Sequence, residues 1–141
     1  MPYIKAIPPR AERHISFDPA ATIQPATEAA ARLKQPVGRF EIYDFLKAIY
    51  RVYIDWKRRN IVKRSARTLA DEMNIARRTG MSPIRVLIEA TLPSADFKQK
   101  SRWVRALEYV HSENVSPSRF RKFVRANGGL AGCARRIGRD A

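Results

Sequence analysis

The chain has 141 residues, 45% of them hydrophobic, so it is long enough for one compact domain with a buried core. Its 28 Lys and Arg residues against 13 Asp and Glu give a net charge of +15, which favours a polyanionic partner, above all nucleic acid. One cysteine and two histidines are too few for an internal disulfide or a metal cluster, and no apolar run has the length of a membrane span or a signal peptide. We therefore expect a cytoplasmic protein without a metal, a cofactor or a membrane partner.

Residues 1–38 contain six of the nine prolines in the chain. Proline lacks a backbone donor and blocks helix propagation, so this segment is predicted to be a largely extended or disordered N-terminal arm. Thr27 to Lys34 are an exception, because their pattern allows two helical turns capped by Thr27. The arm could place basic side chains on phosphates or could be a solvated tail. We place a domain boundary after residue 38, with a helical nucleic-acid-binding domain over 39–141.

The stretch from Phe40 to Trp56, "FEIYDFLKAIYRVYIDW", carries two apolar stripes at helical spacing. A helix that is apolar on most faces is buried among other helices or against a second subunit. The sequence therefore predicts a core helix here and leaves open a homodimer through residues 40–56.

A basic run without acidic residues follows this helix. Such a run could bind phosphates or form a solvated surface, and phosphate contacts would contribute affinity rather than sequence information. The candidate nucleic-acid-binding residues in this run are Lys57, Arg58, Arg59, Lys63, Arg64 and Arg67.

Three further helices are predicted from their caps. Thr68 is expected to cap a helix that stops at Gly80, and Ser82 to cap one that ends before Pro93. Ser94 is expected to cap a third helix, which carries an apolar face. Because no alternating strand pattern competes, the sequence predicts a compact all-α domain of about five to six helices. The apolar face of the third helix comprises Phe97, Val104, Leu107 and Val110, with Trp103 alongside.

Two segments resemble the helix-turn-helix motif of DNA-binding proteins. The first, "IARRTGMSPIRVLIEA" from Ile75 to Ala90, is similar to the DNA-binding segment of lac-repressor-type regulators, with Ala76 at the helix crossing and Gly80 in the turn. That resemblance implies a second helix in the major groove. However, this second helix is apolar where polar base-contacting residues are expected, which favours a core helix. The apolar residues are Ile84, Leu87 and Ile88.

The second segment, "ALEYVHSENVSPSRFRKFVRANGG", combines the same features with a cationic second helix over 116–127. Asn114 suits a left-handed turn position, Val115 is the apolar residue after the turn, and Val110 stands at the crossing, where a small residue is usual. The alternative is an amphipathic helix whose charges are only solvated. Phe120, Phe123 and Val124 are expected to hold this helix to the core. The candidate nucleic-acid-binding residues are Ser116, Ser118, Arg119, Arg121, Lys122 and Arg125.

The sequence does not predict catalysis. Cys133 and His111 could form a nucleophile–base pair, but no residue is evident that would orient them. The segment "NGGLAGCARR" lacks a phosphate-binding motif, and its small residues are expected to let a terminal helix pack closely around Cys133. We therefore expect a regulatory or architectural protein that binds nucleic acid, with duplex DNA favoured over RNA. The alternatives are an inhibitor or adaptor that binds an acidic protein surface, and an RNA-binding protein.

Overall fold

The computed structural model describes residues 18–33, 39–76 and 80–138. Within these ranges the chain forms helices joined by turns and contains no strand, so the predicted all-α fold is confirmed. The helices outnumber those expected, because two of them lie in the segment assigned to the arm. They are α1 (Pro19–Thr22), α2 (Gln24–Ala31), α3 (Arg39–Arg58), α4 (Val62–Glu72), α5 (Pro83–Thr91), α6 (Phe97–Ser112), α7 (Phe120–Ala126) and α8 (Gly129–Gly138), with a 3-10 turn at Pro117–Arg119 before α7.

Residues 18–33 belong to the helical domain, not to an extended arm. Asp18 caps α1 by accepting a hydrogen bond of 3.1 Å from the backbone N–H of Ala20. Proline stands in the first turn of both α1 and α2, where it needs no hydrogen-bond partner and its fixed φ favours a helix start. Ile23 and Ala26 are buried in the main core. The rest of the expected arm, residues 1–17 and 34–38, lies outside the described residues.

Thr27 does not cap α2. It lies inside the helix, and its hydroxyl donates a hydrogen bond of 3.2 Å to the carbonyl oxygen of Ile23. The two expected turns at Thr27 to Lys34 are therefore part of a helix that begins three residues earlier, at Gln24.

Helix α3 is the central element of the core and confirms the predicted core helix. It contacts α2, α4, α5, α6 and α7. Its apolar stripes are covered by helices of the same chain, so burial no longer requires a second subunit. The fully buried side chains of α3 are Phe45, Leu46, Ile49, Tyr50 and Trp56.

Three helices end in the same way, at an asparagine followed by Ile or Val. Asn60, Asn74 and Asn114 have φ of 59°, 59° and 56° and terminate α3, α4 and α6. In each case the N–H of the next residue bonds to a carbonyl five residues earlier, as in a Schellman motif. The left-handed turn expected at Asn114 is confirmed, whereas those at Asn60 and Asn74 were not predicted.

The expected cap at Thr68 is wrong, because α4 begins at Val62 and Thr68 lies inside it. Lys and Arg are good helix formers, and buried residues recur at helical spacing through the segment, so the helix starts within the basic run. It ends at Glu72 and its turn contains Asn74, well before the expected stop at Gly80. The buried residues of α4 are Ser65, Ala66, Leu69 and Ala70.

The start of α5 is as predicted: the Ser82 side chain accepts a hydrogen bond of 3.1 Å from the Ile84 N–H. The start of α6 differs. Its cap is Asp96 rather than Ser94. The Asp96 carboxylate accepts hydrogen bonds of 3.0 and 3.3 Å from the backbone N–H groups of Lys98 and Gln99. Phe97 itself is 58% exposed and is not part of the core face, whereas the other four predicted residues of that face are buried.

A buried ion pair joins α5 to α6. The ammonium of Lys100 lies 2.9 Å from Oε1 of Glu89 and donates a second bond of 2.7 Å to the Pro93 carbonyl. Arg85 binds the other carboxylate oxygen of Glu89 at 3.0 Å. Burial alone would raise the pKa of Glu89, but the hydrogen bonds from these two cations outweigh it and hold the pKa below its usual value.

Helix α8 packs closely along α6, as expected from its small residues. Cys133 is fully buried and Ala134 is 3% exposed. Burial raises the pKa of the Cys133 thiol, although Arg136 acts in the opposite direction. An inert, packed thiol follows from this environment.

Candidate nucleic-acid interface

Aromatic stacking fixes α7 to the central helix. Phe120 is fully buried and stacks on Tyr50, with ring centroids 5.7 Å apart, and meets the edge of Tyr43 at 6.4 Å. Val124, one turn later, is also fully buried. Phe123 is only partly buried, against the ring of Tyr109 at 5.8 Å. The predicted anchoring of this helix through its apolar residues is confirmed, with Phe123 the weakest anchor.

The turn before α7 is also fixed to α3. The hydroxyl of Tyr50 donates a hydrogen bond of 2.6 Å to the carbonyl oxygen of Val115, directly after the left-handed Asn114. Ser116 makes no side-chain cap bond, and the chain passes through one 3-10 turn before α7 begins at Phe120. The second helix of the motif is therefore shorter than the predicted 116–127. It ends at Ala126, before the positive φ of Gly128.

The outer side of this segment is polar and cationic. Arg119, Lys122 and Arg125 are exposed and follow one another at three-residue spacing, so they lie along one side of the turn and α7. Ser116 and Ser118 are exposed at its start, with their hydroxyl oxygens 3.2 Å apart. The sequence from residue 114 to residue 139 contains no acidic residue that could offset these charges.

Arg121 does not point outward as expected. Its guanidinium lies against α3, 3.2 Å from Oδ1 of Asp44 and 5.5 Å from the centroid of the Tyr43 ring. The Arg121 side chain is 39% exposed. Helical spacing alone groups Arg121 with the solvent-facing residues of α7. The sequence does not reveal that α3 passes beside this part of α7.

A groove of about 580 Å³ separates α3 from α7. Its cationic residues are contributed by both helices, and Asp44 is the one carboxylate among the lining residues. A neighbouring cavity of about 590 Å³ shares three of these residues and extends to the start of α8. The groove is lined by Tyr43, Asp44, Lys47, Ser118, Arg121, Lys122 and Arg125.

The α3 side of this groove was not predicted, because the sequence pattern of Phe40 to Trp56 indicated only a core helix. The available signal was the three-residue spacing of Asp44 and Lys47, which puts a carboxylate and an ammonium on the same side of α3. This spacing indicates a binding groove only once α7 is known to pack beside Asp44 and Lys47.

The basic run forms the corner between α3 and α4. All six of its cations are exposed, and the three on α4 lie on the side opposite its buried residues. Arg59 forms an exposed ion pair with Asp55 at 3.4 Å. The run is thus divided over three elements: Lys57 and Arg58 end α3, Arg59 lies in the turn, and Lys63, Arg64 and Arg67 lie on α4.

Lys57 links this corner to the end of α6. The ring of His111 meets Tyr53 edge-on at 5.0 Å, and burial followed by the nearby charge of Lys57 lowers the pKa of His111. His111 lies in the last turn of α6, just before the turn that leads to α7. One end of the basic run therefore lies near the α6–α7 turn, whereas its last three cations lie on α4, which packs against α1, α3 and α5.

The segment similar to lac-repressor-type regulators runs from the turn after α4 into α5. Ala76, expected at the helix crossing, follows the end of α4 and is not helical. The three apolar residues expected in the core are all buried on α5. Residues 77–79 lie outside the described ranges. The core residues concerned are Ile84, Leu87 and Ile88.

No protein-family model matches the chain, and comparisons with curated proteins and with solved structures give no match. Among the helices of the described ranges, none is both long and apolar enough to cross a membrane. In the same ranges, no three His, Cys, Asp or Glu side chains are grouped so that they could hold a metal ion.

Proposed function

We propose that this protein binds nucleic acid, and duplex DNA in particular, through the exposed cationic side of α7 and the turn before it. The observation that carries the proposal is the arrangement of Arg119, Lys122 and Arg125 on a helix whose opposite side is fixed to the core by aromatic stacking. The role would be regulatory or architectural.

The residue types suit this contact. Arginine can form paired hydrogen bonds with O6 and N7 of guanine, and lysine, arginine and serine all bind phosphate oxygens. An α-helix fits the major groove, which is about 12 Å wide in B-DNA. In helix-turn-helix proteins the first residues of the second helix contact the base edges. Ser118 and Arg119 occupy the corresponding place here, in the turn that leads into α7.

The corner between α3 and α4 would add contacts to the phosphate backbone. Its cations raise affinity for any nucleic acid and carry no sequence information. Lys57 lies close enough to His111, in the last turn of α6, for its charge to lower the pKa of that residue.

Duplex DNA is favoured over single-stranded RNA by the distribution of aromatic side chains. Single strands are bound by stacking their bases on exposed aromatic rings. In the described ranges the exposed large hydrophobic side chains are Met73 and Phe97, and neither lies on α7. An acidic protein surface could engage the same charges, and the following measurement separates it from DNA.

The experiment is the affinity for duplex DNA across a salt series, with RNA in parallel. We expect duplex binding to persist at physiological ionic strength. Each neutralised phosphate contributes about −0.9 to the log–log salt slope, so three contacts from α7 give a slope of about −3 or steeper. Weak binding that is indifferent to sequence and lost at physiological salt would contradict the proposal and point to an acidic protein partner.

A further inference from the structure

We infer that the groove between α3 and α7 is a binding site for a backbone phosphate, in which the carboxylate of Asp44 occupies the phosphate position until DNA binds. The inference rests on the proposed function and names the ligand chemistry of a groove that extends the outer side of α7 toward α3.

The geometry of Arg121 is the first reason. Its guanidinium binds Asp44 at 3.2 Å and lies over the Tyr43 ring at 5.5 Å. Carboxylates and phosphates offer similar pairs of acceptor oxygens to the planar guanidinium group. A phosphate can therefore take over the contact of Asp44 while Arg121 keeps its place over the ring.

The weakness of the ion pair is the second reason. The side chains of Arg121 and Asp44 are 39% and 66% exposed, and exposed pairs contribute little to stability. Asp44 can regain water when it is displaced, so the exchange leaves no buried, unpaired carboxylate. By contrast, the side chains of Lys100 and Glu89 are only 7% and 22% exposed, so breaking that pair would leave a charge with little access to water.

The charge of the lining is the third reason. Among the described lining residues, Lys47, Lys122 and Arg125 join Arg121, and Asp44 supplies one carboxylate. The groove volume of about 580 Å³ accommodates a phosphate group, and the adjoining cavity of about 590 Å³ shares Arg121 and Arg125. This surplus of positive charge matches a phosphodiester backbone that passes beside α7.

The position of the groove fits its proposed task. Lys122 and Arg125 belong both to the outer side of α7 and to the groove lining. Contacts to phosphates beside a helix fix its register on the duplex, whereas contacts to the bases provide specificity. Arg121 would thus orient α7 on the DNA rather than contact a base.

The test compares Asp44→Asn with Glu28→Gln in duplex DNA binding at one salt concentration. Each variant removes one negative charge, but Glu28 is an exposed residue of α2 whose side chain bonds to Gln24 and not to a cation of the groove. We expect Asp44→Asn to bind about two- to fivefold more tightly than the wild type, the range that corresponds to one exposed ion pair. Glu28→Gln should remain close to the wild type.

The same pair of measurements in an Arg121→Gln background separates exchange from a general effect of charge. If Asp44 competes with phosphate for Arg121, the gain from Asp44→Asn disappears when Arg121 is absent. A gain of equal size in both backgrounds, or equal affinities for the two single variants, would overturn the inference while the DNA-binding proposal stands. If the wild-type chain does not bind duplex DNA at all, both fail. Circular dichroism of each variant establishes that the helices are retained.

Discussion

Tyr50 shows how one residue connects the core to the candidate interface. Its ring is fully buried under Phe120, yet its hydroxyl bonds to the Val115 carbonyl in the turn before α7. Burial, with a smaller contribution from Tyr53, raises the pKa of Tyr50 to about 12. At neutral pH the Tyr50 hydroxyl is therefore protonated and can donate this hydrogen bond.

Replacing Tyr50 by Phe tests this connection. The variant keeps the stacking and loses one hydrogen bond, so we expect the free energy of unfolding to fall by about 1 kcal/mol at neutral pH. In the wild type, the Tyr50 hydroxyl makes its full contribution to the free energy of unfolding below pH 10.0. That contribution is lost as pH rises toward the folded-state pKa of about 12. Urea unfolding at pH 8 and pH 11 should therefore show a smaller alkaline loss for Tyr50→Phe. Identical pH dependence in both proteins would contradict the account.

The three asparagines illustrate what could be inferred at single positions. Asn114 was expected to adopt a left-handed conformation because a helix-turn-helix turn requires one. Asn60 and Asn74 adopt the same conformation, and each is followed by an apolar residue, as Asn114 is. An Asn–Ile or Asn–Val pair could therefore have been used to predict where each of these helices ends. Arg121 could not be placed in the same way, because its partner Asp44 lies 77 residues away in the sequence.

At the scale of elements, caps and apolar spacing located most helices, and the errors have physical causes. Ser82 was identified correctly, whereas Thr68 lies inside α4 because threonine is also tolerated in a helix interior. Asp96 caps α6 instead of Ser94. Pro19 and Pro25, two of the prolines that suggested an extended arm, stand in the first turns of helices, where proline is tolerated.

The contact at the start of α8 predicts a specific sensitivity. A Cβ atom at Gly132 would clash with the backbone carbonyl of Asn127, which neither backbone can avoid without moving. We expect Gly132→Ala to lower the free energy of unfolding by about 1–3 kcal/mol, as overpacked sites do. Ala131→Ser, at an exposed position of the same turn, should change it by less than about 0.5 kcal/mol. Thermal unfolding of both variants measures the difference, and equal stability would show that the start of α8 adjusts freely.

At the scale of the whole molecule, helical spacing predicted the all-α fold, which is confirmed, and net charge favours a polyanionic partner, which stays a prediction; neither specifies the geometry of the interface. The net charge of +15 is spread along the chain, and folding determines which cations can act together. Lys100 is buried in an ion pair, whereas Lys47 joins the cations of α7 in one groove. Such groupings depend on contacts between distant segments, which a single sequence does not reveal.

The central claim is that α7 binds DNA through its outer side, and one paired measurement tests it most directly. Arg119→Ala with Lys122→Ala removes two cations from this side. The control, Lys98→Ala with Arg102→Ala, removes two exposed cations from the first turns of α6, about 15 Å or more from its last residue at 1.5 Å rise per residue. These cations therefore lie at the end of α6 that is opposite to the turn leading to α7.

Both double variants and the wild type would be titrated with duplex DNA across the same salt series. We predict that the α7 variant loses about tenfold or more in affinity and that its salt slope is less steep by about one to two, while the control keeps the wild-type slope. Equal losses in the two double variants would contradict the account, because binding would then follow net charge alone and not the side of α7 that the fold exposes.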